Sequence, residues 1–401
     1  MEPNVLMIGG EDHHLRIPAM IALRKHGYRV TAAASAAPRD PFVEAGIPLH
    51  EFRLERFLNP LADWRTLGEL SGLIDRIRPE IVQSFDSKLG LLLPLAARNF
   101  PDTAAIRTIN GRGWIYSSNA PLALALRPVY QALHWLGAPF ASATVFEIRE
   151  DQAFFERHHL LRGGRWRHVP GAGIDVSGFE EALALGAPCA QLRQELGLGD
   201  CRVVICVTRM TRQKGIPSLL KAAAIVNREH ADVRFLLVGP RESEGPDAVS
   251  EVDIARHAPY VIATGLRTDV PALLRLADVF AFPTEYREGV PRVLLEAALA
   301  DVPVVTTGIA GCGDVVRDGW NGFVVPPRDP DALAAKIVEM LNHRQAAADM
   351  AARAHDVVRD GFSLSLVVSQ QADLYRELLN SPYRGRNRRA GAGGVPAAGT
   401  A

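Results

Sequence analysis

Short apolar runs alternate with amphipathic stretches along almost the whole of this chain, and a polar or glycine-rich turn follows each apolar run. Residues 4–8 (NVLMI) lead into Gly9-Gly10, a helical pattern follows and stops at Gly27, and YRVTAAA opens the next apolar run. Strands without polar alternation, spaced by helix-length segments, specify a parallel sheet covered by helices on both faces. The series continues through IPLHEFRL (47–54), the amphipathic helix LADWRTLGELSGLIDRIR (61–78) closed by Pro79, EIVQSF (80–85), AAIRTI (104–109) and ATVFEI (143–148). RHVP then reads as a strand and GAGID as a turn, and a linker region extends to about Asp200. The rhythm restarts at RVVICVTRM (202–210) and runs through VRFLLVG (233–239), PYVIATG (259–265), DVFAFPT (278–284) and VPVVTTG (302–308). Two such series in 401 residues predict an α/β chain of two Rossmann-like, doubly wound domains, 1–180 and 181–361. A helix over 362–379 follows, and the basic, then Gly/Ala-rich residues 381–401 read as a disordered tail.

Charge and cysteine content remove several function classes. The 45 basic residues balance 45 acidic ones, so nothing pulls the chain toward nucleic acid. Cys189, Cys201, Cys206 and Cys312 show no CxxC spacing and read as small buried hydrophobes in a reducing compartment. The N-terminal apolar run is too short for a signal peptide, and no stretch approaches the roughly 20 residues of a spanning helix. A cytoplasmic protein, or one peripheral on the inner face of the plasma membrane, is expected. Residues 120–146 are apolar with few charges. They read as a buried helix pair or, alternatively, as a membrane-facing surface with Trp135 and Tyr130 at the interface. The arginines of the tail are a second possible contact with anionic lipid.

The chemistry concentrates in EGVPRVLLE, where Glu288 and Glu296 stand eight residues apart. Eight steps at about 100° each end roughly 80° beyond two full turns. Pro291 suits a first helical turn, so Glu288 belongs to the preceding loop and Glu296 to the helix. A helix N-terminus between two carboxylates offers N–H groups to phosphate and acceptors to sugar hydroxyls. Upstream, Arg209 and Lys214 lie five residues apart in the loop after RVVICV, a strand end that suits a diphosphate. Strand ends in the first half place Gly10, Lys88 and Asn110 toward one crevice. Asp329-Pro-Asp331 has a D-x-D form but precedes a helix, where Asp caps. His13-His14 and His158-His159 are adjacent pairs, which do not share a helix face, so no metal site is expected.

Taken together, Arg209, Lys214-Gly215, Val238-Gly239, Gly265, Glu288 to Glu296 and DGWNGFVVPP resemble the retaining GT-B glycosyltransferases of family 4. YREGVPRVLLEAALADVPVVTT, QSFDSKLGLLLPLAAR and TINGRGW are similar to bacterial enzymes that glycosylate undecaprenyl-linked intermediates of capsule, O-antigen or protein-glycan assembly. The resemblance implies two domains facing across a cleft, with the final helix crossing back to the first. It implies that Arg209 and Lys214 hold a diphosphate, Glu288 meets the donor sugar and Glu296 takes the ribose hydroxyls. Gly289 and Val290 would complete the phosphate cradle, with Gly239 nearby and Gly265, Leu266 and Arg267 by the base. Gly10 and Asn110 would touch the donor from the first domain, and Arg16, Lys88 and Arg112 would lie on the acceptor side. A UDP-sugar donor, a lipid-linked or oligosaccharide acceptor, and no metal or other cofactor are implied.

Two positions depart from the family pattern. Asn110 stands where many members carry His, and Phe85 stands at a second such position. Asn donates a hydrogen bond but is no general base near neutral pH. A UDP-sugar 2-epimerase would need acid/base groups there, and a non-catalytic nucleotide-sugar-binding partner would not need the intact cation and glutamate set.

Overall fold

The computed structural model describes residues 2–55, 59–117, 120–162, 164–241, 245, 247–287 and 289–380. Glu288 and the tail from residue 381 therefore lie outside the described residues. The chain divides into two compact units, one of Met1–Ala172 with the segment from Val367 onward, the other of Gly173–Leu366.

The first unit is built on seven strands: β1 (Asn4–Gly9), β2 (Arg29–Ala34), β3 (Leu49–Glu51), β4 (Ile81–Ser84), β5 (Ala104–Ile109), β6 (Ala143–Phe146) and β7 (Arg165–His168). Their order is β3-β2-β1-β4-β5-β6-β7, and every pairing is parallel. The second unit holds β8 (Arg202–Val207), β9 (Val233–Val238), β10 (Val261–Gly265), β11 (Val279–Phe282), β12 (Val304–Thr307) and β13 (Phe323–Val325). Their order is β10-β9-β8-β11-β12-β13, again all parallel. The predicted doubly wound sheets are present in both halves. Their cause is visible in β8, where Val203, Ile205 and Val207 enter one apolar cluster and Val204 and Cys206 the other. A strand buried on both faces carries no polar alternation.

In each sheet the order reverses beside the first strand, between β1 and β4 and between β8 and β11. Loops leaving the C-terminal ends of such a strand pair diverge and open a crevice.

Several expectations shift. The boundary falls at Gly173 rather than at residue 180, because Ile174 N–H donates to the Phe362 carbonyl at 2.9 Å and Leu364 N–H to the Ile174 carbonyl at 2.8 Å. The supposed linker holds two helices, Val176–Leu185 and Cys189–Glu195, the first capped by Asp175, which accepts from Gly178 N–H at 3.2 Å. Residues 120–146 form one long helix, Pro121–Gly137, then a short 3-10 turn and β6, not a helix pair. Tyr130 is buried in that helix, whereas Trp135 is exposed. Helix Arg344–Gly361 adds an element that the sequence pattern does not predict. Cys206 and Cys312 are buried, but Cys189 and Cys201 are only partly so, and all four are free thiols. Asp329 caps helix Pro330–Asn342, accepting from Ala332 N–H at 2.9 Å, so the D-x-D form is a helix start.

Candidate active site

The second unit's switch point gathers Arg209, Lys214, Gly289 and Val290, with Glu296 in the helix that follows. β8 leads into Arg209–Gly215 and β11 into Pro283–Pro291. These loops are joined backbone to backbone: Glu285 N–H donates to the Gln213 carbonyl at 2.9 Å. Gly215 sits in the left-handed region (φ 74°), and a Cβ there would lie 1.9 Å from the Pro283 carbonyl oxygen. Gly239, at the end of β9, is equally constrained, with a Cβ position 1.9 Å from the Thr208 carbonyl oxygen. Only glycine lets the three strand ends approach this closely.

Within this frame Lys214 is buried, its ammonium 5.8 Å from the ring centres of both Phe282 and Tyr286. The β11 loop thereby fixes a cation that belongs to the β8 loop, by cation–π attraction. Arg209 stands exposed at the mouth of the same loop. Glu285, which sequence reasoning passed over, takes a hydrogen bond from Ser218 at 3.5 Å and an ion pair from Arg328 at 2.5 Å. Its signal was available: it stands three residues before Glu288 in the same PTEYREG run.

Helix Arg292–Leu299 follows. Pro291 is its N-cap residue, not its first turn, and no side chain caps it. Gly289 and Val290 precede it and are partly exposed. Glu296 lies inside the helix, one turn beyond Arg292, whose Nε donates to Oε1 at 2.9 Å. Burial pushes the Glu296 carboxyl upward, and the Arg292 charge and hydrogen bond oppose that without cancelling it. The sign follows by linkage. The folded state holds the Glu296 proton more tightly than the unfolded state, so its contribution to stability falls as pH rises above the ordinary value of 4.5. Glu296→Gln is therefore expected to melt above wild type near pH 7, with the gain gone near pH 4. Calorimetry at the two pH values reads this, and an equal shift at both would mean that burial is not the cause.

Gly265 closes β10, and its carbonyl accepts from Gly239 N–H at 2.8 Å, which ties it to the same row of strand ends. Leu266 is well exposed. Arg267 is held by a fork to Asp269 (2.8 and 2.7 Å) and by Glu195 at 2.6 Å, contacts that raise its pKa further.

In the first unit the loops after β1, β4 and β5 meet. A Cβ on Gly10 would lie 3.5 Å from Asp86 Oδ2, Ser87 donates to the Gly111 carbonyl at 3.1 Å, and Asn110 Nδ2 donates to the Phe85 carbonyl at 3.3 Å. Each expected acceptor-side cation is held by a carboxylate. Arg16 pairs with Glu147 at 2.9 Å and stacks 4.2 Å from the Phe85 ring centre. Lys88 pairs with Asp63 at 2.5 Å and donates to the Glu55 carbonyl at 2.8 Å. Arg112 turns into the core, bonded to Asp151 at 2.8 Å and to Glu150, and stacked on Tyr116 and Phe154. His13 is the first residue of the adjacent pair His13-His14. It is buried, with Nε2 3.1 Å from the Met7 carbonyl, and burial lowers its pKa to about 3, helped by Arg16. Among the described residues, no group of three His, Cys, Asp or Glu side chains is placed to hold a metal ion, and no helix is long and apolar enough to cross a membrane.

Two doubly wound parallel units, one with a cation loop joined to a glutamate loop at its switch point, define a glycosyltransferase of the GT-B class. The chain belongs to that family: residues 20–171 match the glycosyl transferase 4-like domain, and residues 201–343 match glycosyl transferases group 1. Among its relatives is the Staphylococcus aureus capsular polysaccharide biosynthesis glycosyltransferase CapM, 29% identical over 343 residues, which are 82% of this chain and 85% of that protein. Another is the Campylobacter jejuni N,N'-diacetylbacillosaminyl-diphospho-undecaprenol alpha-1,3-N-acetylgalactosaminyltransferase, 23% identical over 379 residues, 93% of this chain and 97% of that one. The fold matches Anabaena HepE, solved in complex with UDP, at a TM-score of 0.74 and 19% identity, over 94% of this chain and 100% of that one.

Proposed function

We propose that this enzyme moves a hexosyl or N-acetylhexosaminyl group, with retention, from a UDP-sugar to a lipid-linked saccharide in bacterial surface polysaccharide synthesis. It acts in the cytoplasm, the second unit holding the donor and the first the acceptor. The observation that carries this reading is the joined pair of loops at the β8/β11 switch point, with Lys214 fixed between two aromatic rings. The UDP seen in HepE supports the choice of base, and the diphospho-undecaprenol in the Campylobacter enzyme's name supports the acceptor class.

The chemistry follows from charge. The bond between the sugar C1 and the diphosphate oxygen breaks, negative charge builds on the leaving UDP, and Arg209 and Lys214 stabilise it together with the N–H groups around Gly289, Val290 and the helix start. The acceptor oxygen joins C1 on the same face, and its proton passes to the departing phosphate oxygen. Asn110, unable to act as a base, is left to hydrogen-bond the donor sugar. Glu296 accepts from the ribose hydroxyls, Glu288 from the donor sugar, and Gly265 to Arg267 lie along the base. Because the cations neutralise the diphosphate, no metal is required.

A screen of UDP-sugars with an undecaprenyl-diphosphate-linked saccharide, read by mass, tests the reading. One UDP-sugar should yield an acceptor heavier by a single sugar, with UDP released and activity kept in EDTA. Isomerised donor, binding without turnover, or loss in EDTA restored by a divalent ion would overturn it.

A further inference from the structure

Helix Pro121–Gly137 is apolar on its outward face as well as on its inward one, unlike a usual surface helix. Its inward face carries Ala123, Tyr130, His134 and Gly137, and Arg107 of β5 donates to the His134 carbonyl at 3.1 Å. Its outward face carries Leu122 (63% exposed), Leu124, Val129, Trp135 (43%) and Leu136 (51%). The other exposed positions of the helix are proline or alanine, and none is charged. Residues 122, 125, 129, 132 and 136 follow helical spacing, so the apolar positions form one continuous stripe. A stripe of this kind marks an interaction surface.

The rim indicates what covers it. The Arg162 guanidinium lies 4.1 Å from the Trp135 ring centre. Trp166 of β7 is 38% exposed and pairs in register with Thr144. Thr144 Oγ1 accepts from Arg107 at 2.9 Å, and the same guanidinium reaches His134. Register therefore puts Trp166 on the sheet face that the helix covers. Trp135, with Arg162 stacked on it, thus borders an aliphatic stripe, and Trp166 stands exposed on the sheet face below that helix, the pattern of a lipid–water boundary. From Thr103 to Phe146 the chain contains three arginines and neither Asp nor Glu, so an anionic surface meets no repulsion from this segment. Protein interfaces carry about one hydrogen bond per 100–200 Å², and apart from the Trp135 indole no exposed side chain of this helix can make one.

We propose that helix Pro121–Gly137 lies flat in the interface of an anionic bilayer, with Leu122, Val129 and Leu136 in the acyl boundary and Trp135, Arg162 and Trp166 among the headgroups. The inference stands apart from the catalytic reading, since it is measured without donor or acceptor.

The test is flotation of the full chain with vesicles of phosphatidylcholine alone and of phosphatidylcholine with phosphatidylglycerol. The wild type should float with the anionic vesicles. Leu122→Glu with Leu136→Glu should lower the partition coefficient at least about 10-fold, the scale of losing one buried leucine, with an unchanged melting temperature because both side chains are exposed. Arg162→Glu should weaken binding to anionic vesicles and leave the weaker neutral binding as it was. No flotation by the wild type would overturn the proposal. So would undiminished flotation of the double variant, as arginines in residues 384–389 alone would give. A wild-type dimer in sedimentation velocity that the double variant dissociates, with no vesicle binding, would assign the face to a second copy and equally overturn it.

Discussion

Lys214→Ala is expected to lower turnover at saturating donor by about 100-fold or more, the scale of losing one preorganised donor to a developing anion. The side chain is buried against Phe282 and Tyr286, so its position is set before any ligand arrives. A cation poised in this way acts most where charge grows, at the bond-breaking step, and the loss should appear in kcat more than in KM. Loss of this buried side chain also acts on the fold, since the ammonium's desolvation cost and its interactions disappear together. Burial pushes the neighbouring Cys206 thiol up to about 12 against the opposing pull of Lys214, so the thiol stays protonated with or without the lysine. Steady-state kinetics beside a melting curve separate the two effects. A folded variant with wild-type kcat would overturn the proposed role of Lys214 at the phosphates.

Gly215→Ala is expected to be the more damaging change for the fold. The left-handed backbone costs about 1–2 kcal/mol for a residue with a Cβ. The added methyl would also meet the Pro283 carbonyl at 1.9 Å, and backbone cannot rotate aside as a side chain can. Relief requires the β8 and β11 loops to part, which breaks the Glu285 to Gln213 hydrogen bond. A total near 3 kcal/mol is expected, with strain of about 1–3 kcal/mol from overpacking, and with it loss of transfer even below the melting temperature. Denaturant unfolding reads the first quantity and the transfer assay the second. Wild-type stability would show that the loops adjust freely at this point.

Much of this architecture was legible because parallel strands are conspicuous. VRFLLV, VFAF and VVTT are short runs rich in β-branched and aromatic residues and are buried on both faces, and few other elements look like that. The helices that escaped notice share a different property. Helix Arg344–Gly361 buries Ala347, Ala351, Ala354 and Val358, a stripe so small that its period disappears among the other alanines. Helices Val176–Leu185 and Cys189–Glu195 bury little more than Phe179 and Leu192. In the site, spacing identified the loops but not the partners. Arg267 binds Glu195, 72 residues away, and Arg112 binds Asp151, 39 residues away. Lone arginines in a sequence resemble free ligands for substrate, and only the fold reveals the carboxylates already holding them. The outward turn of Leu122 and Leu136 is only one of two readings that the sequence allows, since an apolar helix reads alike whichever face the sheet accepts.

The second unit is continuous from Gly173 to Leu366, whereas the first is interrupted by it. During synthesis the ribosome therefore releases all seven strands of the first sheet before the helix that completes it. Gln83, buried in β4, donates to Thr108 at 2.9 Å within the first sheet, but its Oε1 accepts from Gln371, 288 residues later, and from Tyr375, and the Tyr28 hydroxyl finds its acceptor at Ala372. At about 5–20 residues per second, the roughly 200 intervening residues occupy about 10–40 s. For that interval the face that helix Leu364–Leu379 will cover stays open, and the Gln83 oxygen has water in place of its final partners while the second unit is being finished. The half of the enzyme that is translated first is thus the half that matures last.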